Sequence, residues 1–400
     1  MKILFTILLL VSLSMHGHAQ EMETTQKSLF VGYPNRIHEL DSLITNASNF
    51  ALNKADYQEN FQKAINANNQ SDSLMQKVAY KFFNDLAYGN RVPKLQYEGA
   101  KFNMNAYDIP SLVNSYAEQN NLTALTNYIT GQSKEVANIL DSLHYYADPA
   151  HANKDKVALL EKAANEFRWL SVIKKNNRII LVNIPAAFFK AYDSNKLVMS
   201  MRVVVGKSWT QTNTLSSLIK RVVLNPYWHV PGSIIRNEMI PKFKNDQAYF
   251  SKHNYTVIDG AGKVVDLSSV DASAYSSSNF PFSIRQGTGA GNSLGLLKIE
   301  FDSPSAIYLH DSPEKKLFKN ENRFYSHGCV RLEKPIDAGK WLLQDDTKEI
   351  DSFDFKNPGK YKKPQYVKVN IPTQVIIWYS LVDFDNEGGL KFYKNIYNKK

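Results

Sequence analysis

The sequence predicts an α+β protein: a helical N-terminal domain, then a β-rich, sandwich-like domain. Three observations carry this. In SDSLMQKVAYKFFNDLAYG, apolar residues recur at 74, 75, 78, 79, 82, 83 and 86, the spacing of one helix face. From about Arg178 the texture changes to short β-branched runs. Between about 226 and 290 that texture lapses, with a polar, Ser-rich stretch at 267–280, as in a lid or a surface excursion. A length of 400 residues with 43% hydrophobic content suits two domains with a sizeable core.

Residues 1–19 read as a signal peptide. Lys2 supplies a positive start, Ile3 to Met15 is apolar but short for a bilayer, and Gly17 and Ala19 precede a cut before Gln20. The alternative is a buried N-terminal helix. No later apolar run reaches about 18 residues, so no transmembrane segment is expected in the mature chain. Residues 20–35 lack periodicity and read as a tether. The helical domain follows over 36–170. Ser71 or Asp72 is a candidate start for the helix ending at Gly89. DIPSLVNSYAEQ offers Asp108 as an N-cap with Pro110 in the first turn, and KVALLEKAANEFRWL (156–170) is a further helix.

The second domain spans 171–400. Its strand candidates are RIILVNI (178–184), KLVMSMRVVVG (196–206), IKRVVLN (219–225), LLKIEF (296–301), AIYLH (306–310), VKVNI (367–371) and VIIWYS (375–380). The formal charge of +10 suggests a negatively charged partner, an anionic polymer or membrane face, or merely aids solubility. Nucleic acid does not fit an exported chain, and no motif for it is present.

Cys329, in YSHGCVRL, is the only cysteine. An exported chain with one thiol cannot close an internal disulfide, so the thiol is either buried and inert or kept for reactivity. A reactive thiol needs a base. His310, ending AIYLH, and His327 both lie within twenty residues of it. Gly328 permits backbone conformations closed to other residues, which would free N–H groups around Cys329 for an oxyanion. Zinc is the competing use of one Cys and two His. The usual paired ligand spacings are missing, so no metal and no cofactor are expected.

These residues carry a resemblance. YLHDSPEKKLF (308–318) followed by RFYSHGCVRLEKP (323–335) resembles the catalytic signature of the L,D-transpeptidase (YkuD-type) family. LVNIPAAFFKAY (181–192), VVVGK (203–207), VLNPYWHVPGSI (223–234), IRQGTGAGNSLGLLKIEF (284–301) and the tail from 375 to 397 are similar to its large Gram-negative branch. LAYGNRVP (86–93) resembles that branch's helical scaffold domain.

The resemblance implies a peptidoglycan L,D-transpeptidase in the periplasm, acting in cell-wall biogenesis and captured by carbapenems. Cys329 would attack the carbonyl before the terminal D-alanine of a tetrapeptide stem. His310 would serve as base and acid, and an acceptor amine would give a 3→3 cross-link. The Asp311 carbonyl would orient His310. Ser326, His327, Gly328 and Arg331 would support the loop or an oxyanion. Tyr308, Trp228 and Tyr227 are substrate-binding candidates or core aromatics. The insertion at about 235–290 resembles a capping subdomain. Donor and acceptor stem peptides are the implied partners, together with an anionic wall polymer. Water or a D-amino acid as acceptor, and a non-catalytic wall-binding scaffold, are the alternatives.

Overall fold

A computed structural model describes residues 28–67, 71–246, 248–266, 276 and 279–399. The expected signal peptide, the first part of the tether and most of the Ser-rich stretch lie outside the described residues. Among the described residues seven α-helices come first: α1 (Pro34–Thr45), α2 (Ala55–Asn66), α3 (Ser71–Tyr88), α4 (Ile109–Glu118), α5 (Leu122–Gly131), α6 (Lys134–Ala147) and α7 (Lys154–Lys175). The predicted α3 face is the buried one, with Met75, Val78, Ala79, Phe82, Phe83 and Leu86 in the core. Gly89 ends α3 in the left-handed region at φ +78°. A Cβ there would lie 2.5 Å from the Asn165 carbonyl of α7, so glycine also permits the close approach of the two helices. Asp108 caps α4 as expected, accepting the Ser111 N–H.

Residues 28–35 are not a free tether. Phe30 is fully buried and α1 begins at Pro34. The Asp72 carboxylate accepts the N–H groups of Leu29, Phe30 and Val31 and the Ser28 hydroxyl. Burial works against its charge, but these donors win and hold its pKa at about 2. The candidate helix cap is therefore engaged with the segment before α1. The helical layer also runs past the expected edge at 170, because α7 continues to Lys175.

The β-rich domain is built from β1 (Tyr97–Glu98), β2 (Arg178–Asn183), β3 (Phe188–Asp193), β4 (Lys196–Gly206) and β5 (Leu215–Leu224). A small cap sheet follows, with β6 (Trp228–His229), β7 (Tyr255–Ile258), β8 (Val264–Val265) and β9 (Ser283–Gln286). The main sheet resumes with β10 (Leu297–Phe301), β11 (Leu309–His310), β12 (Phe324–Ser326), β13 (Val330–Leu332), β14 (Gln365–Lys368) and β15 (Thr373–Trp378). β16 (Val382–Phe384) and β17 (Leu390–Phe392) form a final hairpin.

The main path runs β5-β10-β11-β13-β4-β3-β2-β15 and closes through pairing of β15 with β5. Long strands β4 and β5 each serve both layers, which makes the sandwich a closed one. Ile180, Val182, Phe189, Val203, Leu297, Leu309, Val330 and Ile377 fill the space between the layers. The alternate residues Ile179 and Leu181 face the other way and pack with Leu160, Phe167 and Leu170 of α7. Burial on both faces explains why β2 reads as an unbroken apolar run. Each such side chain contributes about 1.5–3 kcal/mol relative to exposure.

The cap, residues 228–286, has its own core of Val230, Ile235, Met239, Ile240, Phe243, Phe250, Val257 and Ile284. Its strands are two to four residues long, too short to show an alternating pattern in the sequence.

Candidate active site

β11 and β13 run parallel, with Leu309 opposite Val330 and His310 opposite Arg331. One residue back, Tyr308 faces Cys329, and the Val330 N–H donates to the Tyr308 carbonyl at 3.2 Å. Side chains alternate along a strand, so Tyr308, His310, Cys329 and Arg331 share one face. All four line a cavity of about 360 Å³ whose opposite wall is the cap, including Trp228, Met239, Tyr249 and Tyr255.

His310 is buried, and burial, helped by the nearby Arg331 charge, lowers its pKa to about 3. The imidazole is neutral at pH 7 and free to accept a proton. The backbone carbonyls of Asp311 and Leu294 act on the ring in the opposite sense, favouring protonation. Nδ1 has no hydrogen bond of ordinary geometry. Burial raises the Cys329 pKa against the opposing influence of the Tyr308 hydrogen bonds and the Lys298 and Arg331 charges. The resting pair is therefore thiol and imidazole, both uncharged. The Tyr308 and His310 rings are 5.7 Å apart, and the Lys298 ammonium sits 4.1 Å from the Tyr308 ring centroid.

The loop before the thiol is tightly tied. Gly328 takes φ +118°, the left-handed side expected of glycine. The Ser326 hydroxyl donates to the Cys329 carbonyl at 2.6 Å and accepts the Gly328 N–H at 3.1 Å. The Gly328 N–H is thus already engaged, contrary to the expectation that the loop leaves it free. The Cys329 N–H makes no hydrogen bond among the described residues, so it is the open donor beside the sulfur. Thr212 donates to the Gly328 carbonyl at 2.8 Å and accepts the Gly206 N–H. Tyr397 donates to the Gly206 carbonyl and accepts the Thr212 N–H. Nothing local in the sequence marks Thr212 or Tyr397, because the bonds that tie them to Gly328 and Gly206 respectively span more than a hundred residues.

The remaining candidates separate. Asp311 does more than present a carbonyl. Its carboxylate accepts the Leu296 and Ser312 N–H groups and pairs with Lys315. A Cβ on Gly295 would overlap that carboxylate, so Gly295 and Asp311 are fitted to one another. His327 turns to the cap, with Nε2 2.5 Å from Glu238. Arg331 pairs with Glu314 at 2.5 Å, which braces the loop after His310. Trp228 lines the cavity and Tyr227 does not. The Tyr227 hydroxyl donates to the Lys362 carbonyl and its ring lies under Arg285, because neighbours in extended chain point to opposite sides. Glu238, Lys242, Tyr249 and Tyr255 were not singled out from the sequence. They stand on cap elements that are brought to the site only by folding.

Residues 177–350 match the model of the L,D-transpeptidase catalytic domain family, YkuD. A Haemophilus influenzae protein named as a candidate L,D-transpeptidase is 33% identical over 231 residues, covering 58% of this chain and 46% of that protein. The match thus spans under half of the relative's length. Among solved structures, an L,D-transpeptidase from Mycobacterium smegmatis is 12% identical, with 50% of this chain and 58% of that chain covered and a TM-score of 0.25. L,D-transpeptidase 1 of Mycobacterium tuberculosis is 15% identical, with coverages of 50% and 62% and a TM-score of 0.19. The family match rests on the segment that contains the His310 and Cys329 strands, and residues 177–350 of this chain are similar to the L,D-transpeptidase catalytic domain of the YkuD family.

Proposed function

We propose that this protein is an exported peptidoglycan L,D-transpeptidase that forms an acyl-enzyme on Cys329. The single observation behind this is the parallel β11–β13 register, which sets His310 and Cys329 on the same face of one cavity. In this reading the donor tetrapeptide lies between the cap and the two strands. His310 takes the thiol proton as sulfur attacks the carbonyl before the terminal D-alanine. An uncharged resting pair supports transfer coupled to attack over a preformed thiolate. The Cys329 N–H donates to the developing oxyanion. Collapse of the tetrahedral intermediate breaks the C–N bond, and His310 returns the proton to the departing D-alanine amine. His310 then deprotonates the acceptor amine, which attacks the thioester, releases the sulfur and completes a 3→3 linkage. Water or a D-amino acid at the same step would give hydrolysis or exchange. A carbapenem would acylate the same sulfur. Export to a periplasm rests on residues 1–19, and the charge of +10 supports work among anionic wall polymers.

The test is incubation with disaccharide tetrapeptides. Release of D-alanine with formation of dimers supports transpeptidation, and release without dimers supports the carboxypeptidase reading. Peptidoglycan binding without any release would leave a wall-binding scaffold.

A further inference from the structure

We propose that Lys242 of the cap binds a carboxylate of the donor stem peptide and so selects which peptides the cavity accepts. This rests on the functional reading above. Besides its histidines, the cavity wall carries the charged side chains Glu238, Glu314, Arg331 and Lys242. Glu238 is engaged by His327, and Glu314 by Arg331. Lys242 makes no ion pair and no side-chain hydrogen bond among the described residues. Its ammonium lies 5.6 Å from the centroid of the Tyr249 ring, itself part of the wall. The acid nearest in sequence on the same segment, Asp246, is paired with Lys252.

The placement of Lys242 follows from the cap's own packing. The short helix Ile240–Asn245 buries Ile240 and Phe243 in the cap core, which leaves Lys242 on the cavity side. Both acids of the wall already have basic partners, so among the described residues Lys242 is the cation of the wall left to meet a ligand. Lys242 is exposed at the cavity rim, and a lysine beside an aromatic ring gains less than one in a charge-assisted hydrogen bond to a carboxylate. A tetrapeptide stem supplies that group at its terminal D-alanine, and a dicarboxylic diamino acid supplies another in its side chain. The chemistry is the same for both.

Calorimetric titration of the Cys329→Ala protein, which holds substrate without turnover, tests this. The probes are a free tetrapeptide, the same peptide amidated at its terminus, and the peptide amidated at the side-chain carboxylate. Lys242→Met, which keeps the apolar stem, is expected to weaken the free tetrapeptide about tenfold or more, with Lys242→Arg recovering most of it. One of the amidated peptides should bind the parent and Lys242→Met proteins equally, and that peptide identifies the carboxylate. Equal affinity of parent and Lys242→Met for all three overturns the proposal, as does uniform weakening of all three. Absence of binding to the parent at millimolar peptide overturns it together with the functional reading. D-alanine release by the intact enzyme that is indifferent to Lys242→Met sinks this proposal alone.

Discussion

Two buried polar clusters sit on opposite sides of the β-rich domain. Under α7, Lys190 bonds Asp383 at 2.7 Å and the Phe384 carbonyl at 2.6 Å, and Asn183 donates to Asp383 at 3.1 Å. Asn183 also accepts the Ser380 N–H, and the Ser380 hydroxyl donates to Glu166 at 2.6 Å. The chain of bonds joins helix, strand and tail, and each member is held by another. On the cavity side, His310 Nδ1 is buried without a hydrogen bond of ordinary geometry, the Cys329 N–H has no internal partner among the described residues, and at the exposed rim of the cavity the Lys242 ammonium has no polar partner among them either. Buried polarity that is fully paired holds elements together. Buried polarity left open in a cavity is available to a ligand or a reacting atom. The first cluster should therefore answer to stability measurements and the second to turnover.

The sharpest separation comes from Cys329→Ala. D-alanine release should fall by at least about a thousandfold while the melting temperature stays nearly unchanged, and full turnover by this variant would remove the nucleophile assignment. His310→Asn should cost about a hundred- to ten-thousandfold in kcat. If its loss appeared in KM alone, His310 would be a binding residue.

The paired cluster should behave in the opposite way. Asp383→Ala strands the Lys190 ammonium and should destabilise by about 3–5 kcal/mol in urea titration. Proportionate loss of kcat under folded conditions would blur the two regions. Glu166 adds a pH signature. Burial, with Asp383 nearby, raises its pKa to about 7 against the Ser380 hydrogen bond and the Lys162 charge. Its folded pKa exceeds the unfolded value, so its contribution is present below about pH 4.5 and is lost as pH rises through 7. Glu166→Gln should flatten the stability profile across that window, by on the order of 3 kcal/mol. His310 has the reverse sign. Its depressed pKa means stability falls as pH drops below about 6.5 toward 3.

The smallest expected effect belongs to the contact between loop and cap. Glu238→Gln should leave the melting temperature unchanged and alter turnover by less than about tenfold, because both partners are partly exposed.

Much of the fold was legible where local pattern and burial agree. The α3 face, the Asp108 cap and strands β2, β4 and β15 follow their apolar runs closely. Legibility failed where elements are too short to have a period. β11 and β13 are two and three residues long, and the cap strands two to four. It failed also at residues 28–35, where burial of Phe30 depends on helices that follow it in the chain. At the site, His310 and Cys329 stood out because a lone cysteine near histidines is visible by residue type. Tyr227 misled because residue type does not say which way a side chain points.

By itself, the sequence determined the order of helical and β-rich regions, the glycine at 328 and the presence of a thiol with histidines nearby in the chain. Periodicity, turn chemistry and residue type are local properties. Only the tertiary structure decided that Tyr308, His310, Cys329 and Arg331 share a face, that Gly328 is held by Thr212, itself held by Tyr397, and that Lys242 lines the cavity. Those outcomes depend on strand register and on packing between residues distant in the chain, and a linear pattern encodes neither.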